Sequence, residues 1–275
     1  VKMTYMTDTG QVEGPEFSMG AGRRKSINVA NSVPDTWEVS TKVESTEPIV
    51  AERAMYWNGR SGGNESIGVP APADDWYLAE GSTGGGFETW ILIQNPGDEA
   101  ANVKMTYMTD TGQVEGPEFS MGAGRRKSIN VANSVPDTWE VSTKVESTEP
   151  VVAERAMYWN GRSGGHESIG VPAPADDWYL AEGSTSGGFE TWILIQNPGD
   201  EAANVKMTYM TDTGQVEGPE FSMGAGRRKS INVADSVPDT WEVSTKVEST
   251  EPIVAERAMY WNGRTDGHHS VGFGR

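Results

Sequence analysis

The sequence predicts an all-β chain, a tandem array of Ig-like antiparallel β-sandwich repeats. Three observations carry that expectation. The text VKMTYMTDTGQVEGPEFSMGAGRRKSINVA begins at Val1, again at Val103 and again at Val205, a period of 102 residues, which suits one sandwich domain per copy. Within a copy, apolar and polar residues alternate in short runs that Gly, Pro, Asn and Asp interrupt, the pattern of antiparallel strands joined by tight turns. No segment repeats its apolar residues at a helical spacing.

In the middle copy, the alternation predicts strands over Trp76 to Glu80, Glu88 to Gln94, Asn102 to Thr109, Gln113 to Ser120, Arg126 to Val131, Trp139 to Glu146 and Val151 to Trp159, with a further short one over Ser168 to Val171. Asn95-Pro96-Gly97-Asp98 supplies a fixed φ followed by a glycine, a turn between the second and third strands. Asp110-Thr111-Gly112 and Gly122-Ala123-Gly124 serve the next two junctions. After Pro136, Trp139, Val141, Thr143 and Val145 share one face and Glu140, Ser142, Lys144 and Glu146 the other, so one face is expected in the core and one in water. Glu154 and Arg155 are strand neighbours and point to opposite faces; one of them faces inward and needs a buried partner. The Gly-rich run Glu80 to Gly86 lacks the ending of a phosphate loop and opens a strand rather than a helix, so a flexible loop is expected there.

The stretch DDWYLAEGSTGGGFETWILIQNPGDEAAN at Asp74 to Asn102 recurs at Asp176 to Asn204 in near-identical form and has no counterpart ahead of Val1. Residues 1–73 therefore read as a partial repeat lacking its first two strands, 74–175 as a complete repeat, and 176–275 as a complete repeat with a divergent end. Two sources for the missing strands stay open: chain upstream of Val1, or another subunit by strand addition. Within the recurring stretch Trp76, Leu78, Trp90 and Leu92, with Trp178, Leu180, Trp192 and Leu194, are expected to close each sandwich or to mediate self-association. Between copies, Val171-Pro172-Ala173-Pro174-Ala175 predicts an extended, semi-rigid connection.

From WYLAEGSTGGGFETWILIQNPG through AERAMYWNGRSGGHESIGVPAPA the chain resembles tandem repeats of large secreted and surface proteins of actinobacterial type. The resemblance covers both full copies and most of the partial one, and it implies an extracellular β-rich repeat without catalytic residues to carry over.

Composition narrows the function further. Cysteine is absent, so neither disulfides nor thiol chemistry is available. The net charge is −18, and Asp74, Asp75, Glu80, Glu88, Asp98 and Glu99 concentrate acids in the recurring stretch, a surface that repels nucleic acid and anionic lipid. No apolar run approaches the roughly 18 residues of a membrane span. His166 and His268 stand where the first copy has Asn64, and His269 stands where the second has Glu167. No histidine recurs in every copy, which excludes a triad or histidine metal site per repeat and predicts exposed loop residues. Acids beside the linker and in a turn, Asp74, Asp75, Asp98 and Glu99 with Asp176, Asp177, Asp200 and Glu201, are weak candidates for calcium; no cofactor is otherwise expected. Of the four tryptophans in a copy (Trp76, Trp90, Trp139, Trp159), at least three are expected in the core, while Tyr77 or Tyr158 beside a tryptophan would suit a glycan platform. Arg125-Arg126-Lys127 is expected to face the acidic stretch of a neighbour or solvent. The copies differ so little that the useful property should scale with their number. The expected function is a non-enzymatic, extracellular stalk, fibre or filament at the cell surface with homotypic partners; the alternative is a carbohydrate or cell-wall binding adhesin module.

Overall fold

The computed structural model describes residues 1–275. It is all-β, with strands and single 3-10 turns and no α-helix. In the first copy β1 (Lys2–Met6), β2 (Gln11–Glu16) and β3 (Ser40–Glu44) form a sheet in the order β2-β1-β3, while β4 (Glu52–Trp57) pairs with β5 (Gly62–Ile67). The second copy comprises β6 (Ala73–Leu78), β7 (Glu88–Asn95), β8 (Ala101–Met108), β9 (Gln113–Met121), β10 (Arg125–Asn130), β11 (Ser142–Trp159) and β12 (Gly164–Ile169). The third repeats these as β13 (Ala175–Leu180), β14 (Glu190–Asn197), β15 (Ala203–Thr211), β16 (Gly214–Met223), β17 (Arg227–Asn232), β18 (Val243–Trp261) and β19 (Asp266–Val271), and adds β20 (Phe273–Gly274).

The long strands β11 and β18 organise the full copies. The first half of β11 pairs with β8 and β6, and its second half with β7 and β12, all antiparallel. Two layers therefore share one strand and curl over a common core that includes Trp76, Leu78, Ile91, Ile93, Met105 and Val145. The sequence predicts two strands here, broken near Pro150, which has no N–H to donate. In the structure that residue falls in the gap between ladders: pairing with β8 ends at Ser147 and pairing with β7 starts at Val152, so the missing donor interrupts neither. The first copy has no counterpart of β6 or β7 to bridge the layers. There the strand divides into β3 and β4, and only Met3, Tyr5 and Val33 form a buried cluster.

Side-chain hydrogen bonds fix the turns and edges. Asn95 is fully buried, and its amide donates to the carbonyls of Glu99 (2.8 Å), Met121 (3.2 Å) and Gly122 (3.3 Å) while its oxygen accepts from Gly97 N (3.0 Å). This closes the Asn-Pro-Gly turn the sequence predicts. Trp76 donates its indole N–H to Val151 O at 2.8 Å, holding β6 against the middle of β11. Val171 exchanges two backbone bonds with Tyr77, whereas Pro172 and Ala173 bend before β13 opens at Ala175, so the linker is not the continuous extended segment its prolines predict. The divergent end of the third copy keeps that pairing, with Phe273 opposite Tyr179.

Candidate functional site

The alternation of AERAMYW places two different surfaces on one strand. Val151 and Ala153 of β11 lie in the core of the second copy. Further along the same face, Arg155, Met157 and Trp159 run past that core and meet the third copy. The opposite face presents Glu154 to Arg53 of the first copy at 3.2 Å. In β18 the equivalent of that second face, Glu256, Ala258 and Tyr260, looks back on the second copy. Both faces of the strand end are thus covered, each by a different neighbour.

Between the second and third copies lies a closed ring of polar groups. Arg155, fully buried, is 2.9 Å from Glu80 Oε2 and 3.8 Å from Glu256 Oε2. It also reaches His166 Nδ1 at 3.4 Å; with that nitrogen accepting, Nε2 carries the proton toward Tyr260 Oη (3.4 Å), which donates to Glu80 Oε1 at 3.1 Å. Glu256 accepts the backbone N–H of Glu80 at 2.9 Å and lies 2.9 Å from His269 Nε2. Burial opposes the Glu256 charge, yet His269, Arg155 and a backbone amide together hold its pKa below the usual carboxylate value. Burial, reinforced by Arg155 and His269, pushes His166 well below the ordinary imidazole value and keeps it neutral. Burial and then Glu80 push the Tyr260 phenol well up, so it stays a donor.

The contacts between the first and second copies follow the same plan. Arg53 takes the place of Arg155 and pairs with Glu154 and Glu167. Trp57 Nε1 donates to Arg162 O at 2.8 Å, as Trp159 Nε1 does to Arg264 O at 2.7 Å. Arg126 lies 2.8 Å from Glu38, and Arg228 lies 3.3 Å from Glu140. Arg125 donates to Asp8 O, and Arg227 to Asp110 O. Two arginines of the basic cluster do face a neighbouring copy. Their acidic partners, Glu38 and Glu140, lie before β3 and β11 rather than in the recurring acidic stretch.

Several expectations change. His166 is buried on β12 and the His269 side chain on β19, so neither is an exposed loop residue; Asn64, His166 and His268 fall at one place, the face each copy turns to the next. The run from Glu80 to Thr83 is buried rather than flexible: Ser82 N bonds Thr89 Oγ1 (2.9 Å) and Thr83 Oγ1 donates to Val135 O (2.6 Å). Of the four tryptophans only Trp76 and Trp159 are fully buried, and Trp159 fills the contact with the third copy rather than its own core. Trp90 is half-buried, and Trp139, expected on the core face, is 57% exposed. It lies just before β11 and packs over Phe87 and Gly85, where a glycine at φ +60° leaves room for the ring.

Trp76 and Leu78, like Trp178 and Leu180, are core residues on β6 and β13. Leu194 and Trp192 pack into the cluster of Met157, Trp159 and Tyr260, while Trp90 and Leu92, their counterparts, are half-buried. Asp74, Asp98, Glu99, Asp176, Asp200 and Glu201 are exposed, and Asp75 and Asp177 partly so. None of them enters a cluster of three acidic or histidine groups. The cluster that does form, Glu80, Glu256 and His269, was not expected from the sequence. It suits a cation poorly, because the Arg155 guanidinium already lies against both carboxylates.

No protein-family model matches this sequence, and no curated protein is significantly similar to it. Among solved structures, Thermotoga maritima 1070 is similar at 20% identity with a TM-score of 0.35, over 37% of this chain and 96% of that one. The Anabaena sensory rhodopsin transducer aligns at 28% identity and a TM-score of 0.27, over 30% of this chain and 79% of that one. An allantoicase structure aligns at 8% identity and a TM-score of 0.18, over 66% of this chain and 74% of that one. Likenesses at these scores carry no argument about activity or partners. No helix is long and apolar enough to cross a membrane.

Proposed function

We propose that the protein is a structural repeat protein: Ig-like β-sandwich modules of 102 residues that dock front to back into a stiff rod, serving outside the cell as a stalk, fibre or filament. The observation that carries this reading is the recurrence of one set of contacts at both boundaries, Arg53 with Glu154 and then Arg155 with Glu256, Trp57 with Arg162 O and then Trp159 with Arg264 O. Modules that merely followed one another on a string would have no reason to bury charged groups against each other, since burial without a partner costs several kcal/mol. The carboxylates of the ring lie in the interior, out of reach of a substrate, which favours a non-enzymatic role. Small-angle X-ray scattering of the chain tests the reading. A single rigid rod form is expected, and a distribution of bent shapes would overturn it.

A specific observation favours a second reading, a glycan-binding module. Trp37, Trp139 and Trp241 occupy the same position in each copy and are 98%, 57% and 63% exposed. Retention on cell-wall polysaccharide that is lost in Trp139→Ala/Trp241→Ala, with unchanged thermal stability, would support it.

A further inference from the structure

The two joints along the chain share a plan but differ at their polar centres. Where the second copy meets the third, His166 of β12 and His269 of β19 belong to the buried ring; the same places in the joint before it hold Asn64 and Glu167. Only the later joint holds imidazoles, the side chain whose ordinary value lies between about pH 5 and 8.

His166 is 3% exposed and enclosed by groups of both copies. On its own copy, Arg155 of β11 donates to Nδ1 at 3.4 Å and the Trp159 ring lies 5.3 Å away. Nε2 faces Tyr260 Oη of β18 at 3.4 Å and Glu80 Oε2 at 3.6 Å, and the His269 ring lies 5.5 Å off. Glu167, next on β12, turns to Arg53 of the first copy, and His268 to Arg257 and Glu182 of its own copy. A second proton on His166 would convert Nδ1, the acceptor that faces Arg155, into a donor, and a guanidinium has no acceptor to offer. Glu80 is no alternative partner for that proton, because Arg155 holds its Oε2 at 2.9 Å and Tyr260 donates to its Oε1. A proton on His269, by contrast, meets Glu256 Oε2 at 2.9 Å. Burial and then Arg155 accordingly hold His166 neutral, well below the ordinary imidazole value. Tyr260 and His269, which cover it from outside, both belong to the third copy, so parting the copies hydrates the ring and frees it to take the proton.

Resting on the stacked-module reading, we infer that the joint between the second and third copies is an acid-released hinge: below about pH 6 the two copies part there, while each keeps its own core and the joint between the first and second copies holds. The undocked His166 binds its proton more readily than the docked one. Falling pH therefore shifts the ratio of undocked to docked by up to about tenfold for each unit below about 6.5. The apolar part of this joint, Met157, Trp159, Leu194, Ala258 and Tyr260, is small beside the core of either copy, so the joint yields before the cores do. In the first joint the buried acid is Glu167, whose pKa burial raises against the pull of Arg53; it takes a proton more readily docked than free, so acid does not drive that joint open.

Pulsed electron-spin distance measurements on the full chain test the inference, since a chain without cysteine takes labels only where they are placed. Glu118→Cys with Glu220→Cys spans the later joint, and Glu16→Cys with Glu118→Cys spans the earlier one, all three positions being exposed. The distribution across the later joint should be narrow at about pH 7.5, broaden at about pH 5.5 and narrow again on return, while the earlier joint stays narrow and far-ultraviolet circular dichroism stays constant. Both His166→Asn and His166→Gln should keep the later joint narrow in acid. A later joint that does not respond to acid overturns the hinge and leaves the stacked modules standing. Equal broadening at both joints, broadening that persists in a folded His166 variant, or loss of circular dichroism with the broadening also overturns it. Distributions already broad at both joints near pH 7.5 overturn the stacked-module reading itself.

Discussion

Replacing Arg155 by methionine removes one charge and keeps most of the aliphatic stem. Arg155 is fully buried, Glu80 is 4% exposed and Glu256 is fully buried, so water cannot take over the neutralisation of the two carboxylates. Breaking a buried pair from one side costs about 3–5 kcal/mol, most of it the stranded charge rather than the lost attraction. Arg162→Met serves as the comparison. Its side chain meets Glu88 at 2.6 Å, but the two are 51% and 37% exposed, and a pair so wetted is worth at most about 1 kcal/mol. Urea denaturation of both variants, with hydrogen exchange at the Glu80 amide that Glu256 accepts, reads the difference globally and at the contact itself. The double variant Arg155→Met/Glu80→Gln should cost less than the sum of its parts by about 0.5–3 kcal/mol, because the two act as one network. If Arg155→Met costs no more than Arg162→Met, or if the Glu80 amide exchanges at an unchanged rate, the ring does not hold the copies together.

The same ring makes stability depend on pH. His166 binds its proton less readily folded than unfolded, so as pH falls below about 6.5 the unfolded chain gains a proton the folded chain refuses. Stability then drops by up to about 1.4 kcal/mol per pH unit. In His166→Asn, which installs the residue of the first copy, the fall in urea midpoint between pH 7.5 and 5 should be shallower than in wild type, the remainder coming from His268, whose pKa burial and then Arg257 also lower; a slope equal to wild type refutes the assignment. The lowered pKa of Glu256 adds a second loss, starting only when pH falls through the unfolded carboxylate value near 4.5. Asn95→Ala removes a fully buried amide from three carbonyl acceptors and should cost about 1–3 kcal/mol by denaturant unfolding; less than a few tenths would mean that water replaces the amide. Gly85→Ala forces a side chain at φ +60° into the Trp139 ring, with an expected loss of about 1 kcal/mol or more and a red shift of tryptophan emission as the ring is displaced. An unchanged spectrum would show that Trp139 does not rest on that glycine.

Much of the fold was legible in residues 74–175 because period-2 alternation and turn chemistry act locally. The Asn-Pro-Gly turn, the four strands between Glu88 and Val131 and the opposed faces of Glu154 and Arg155 all follow from a few neighbouring residues, whereas the strand expected over Ser168 to Val171 lies at Gly164–Ile169. The break expected between Glu146 and Val151, a segment that holds Pro150, is absent from the structure. Locally a proline ends a strand, and only pairing with β8 on one side and β7 on the other shows that the chain runs through it between two ladders. Trp139 was placed by alternation in a core that its strand does not reach, since β11 starts three residues later at Ser142.

The candidate site was less legible, because its members come from 80, 155, 166, 256, 260 and 269, and no local pattern joins them. One signal did exist. Of the two positions at which the first copy differs from the second over their shared residues, Asn64 against His166 falls on this face. By itself the sequence determined the period of 102, the β class and the acidic, cysteine-free composition, each a property of single residues or short runs. What only the tertiary structure decided is which surfaces are wet. A strand has two faces whatever its sequence, and whether Arg155 and Glu256 meet water or each other depends on where the next copy lies.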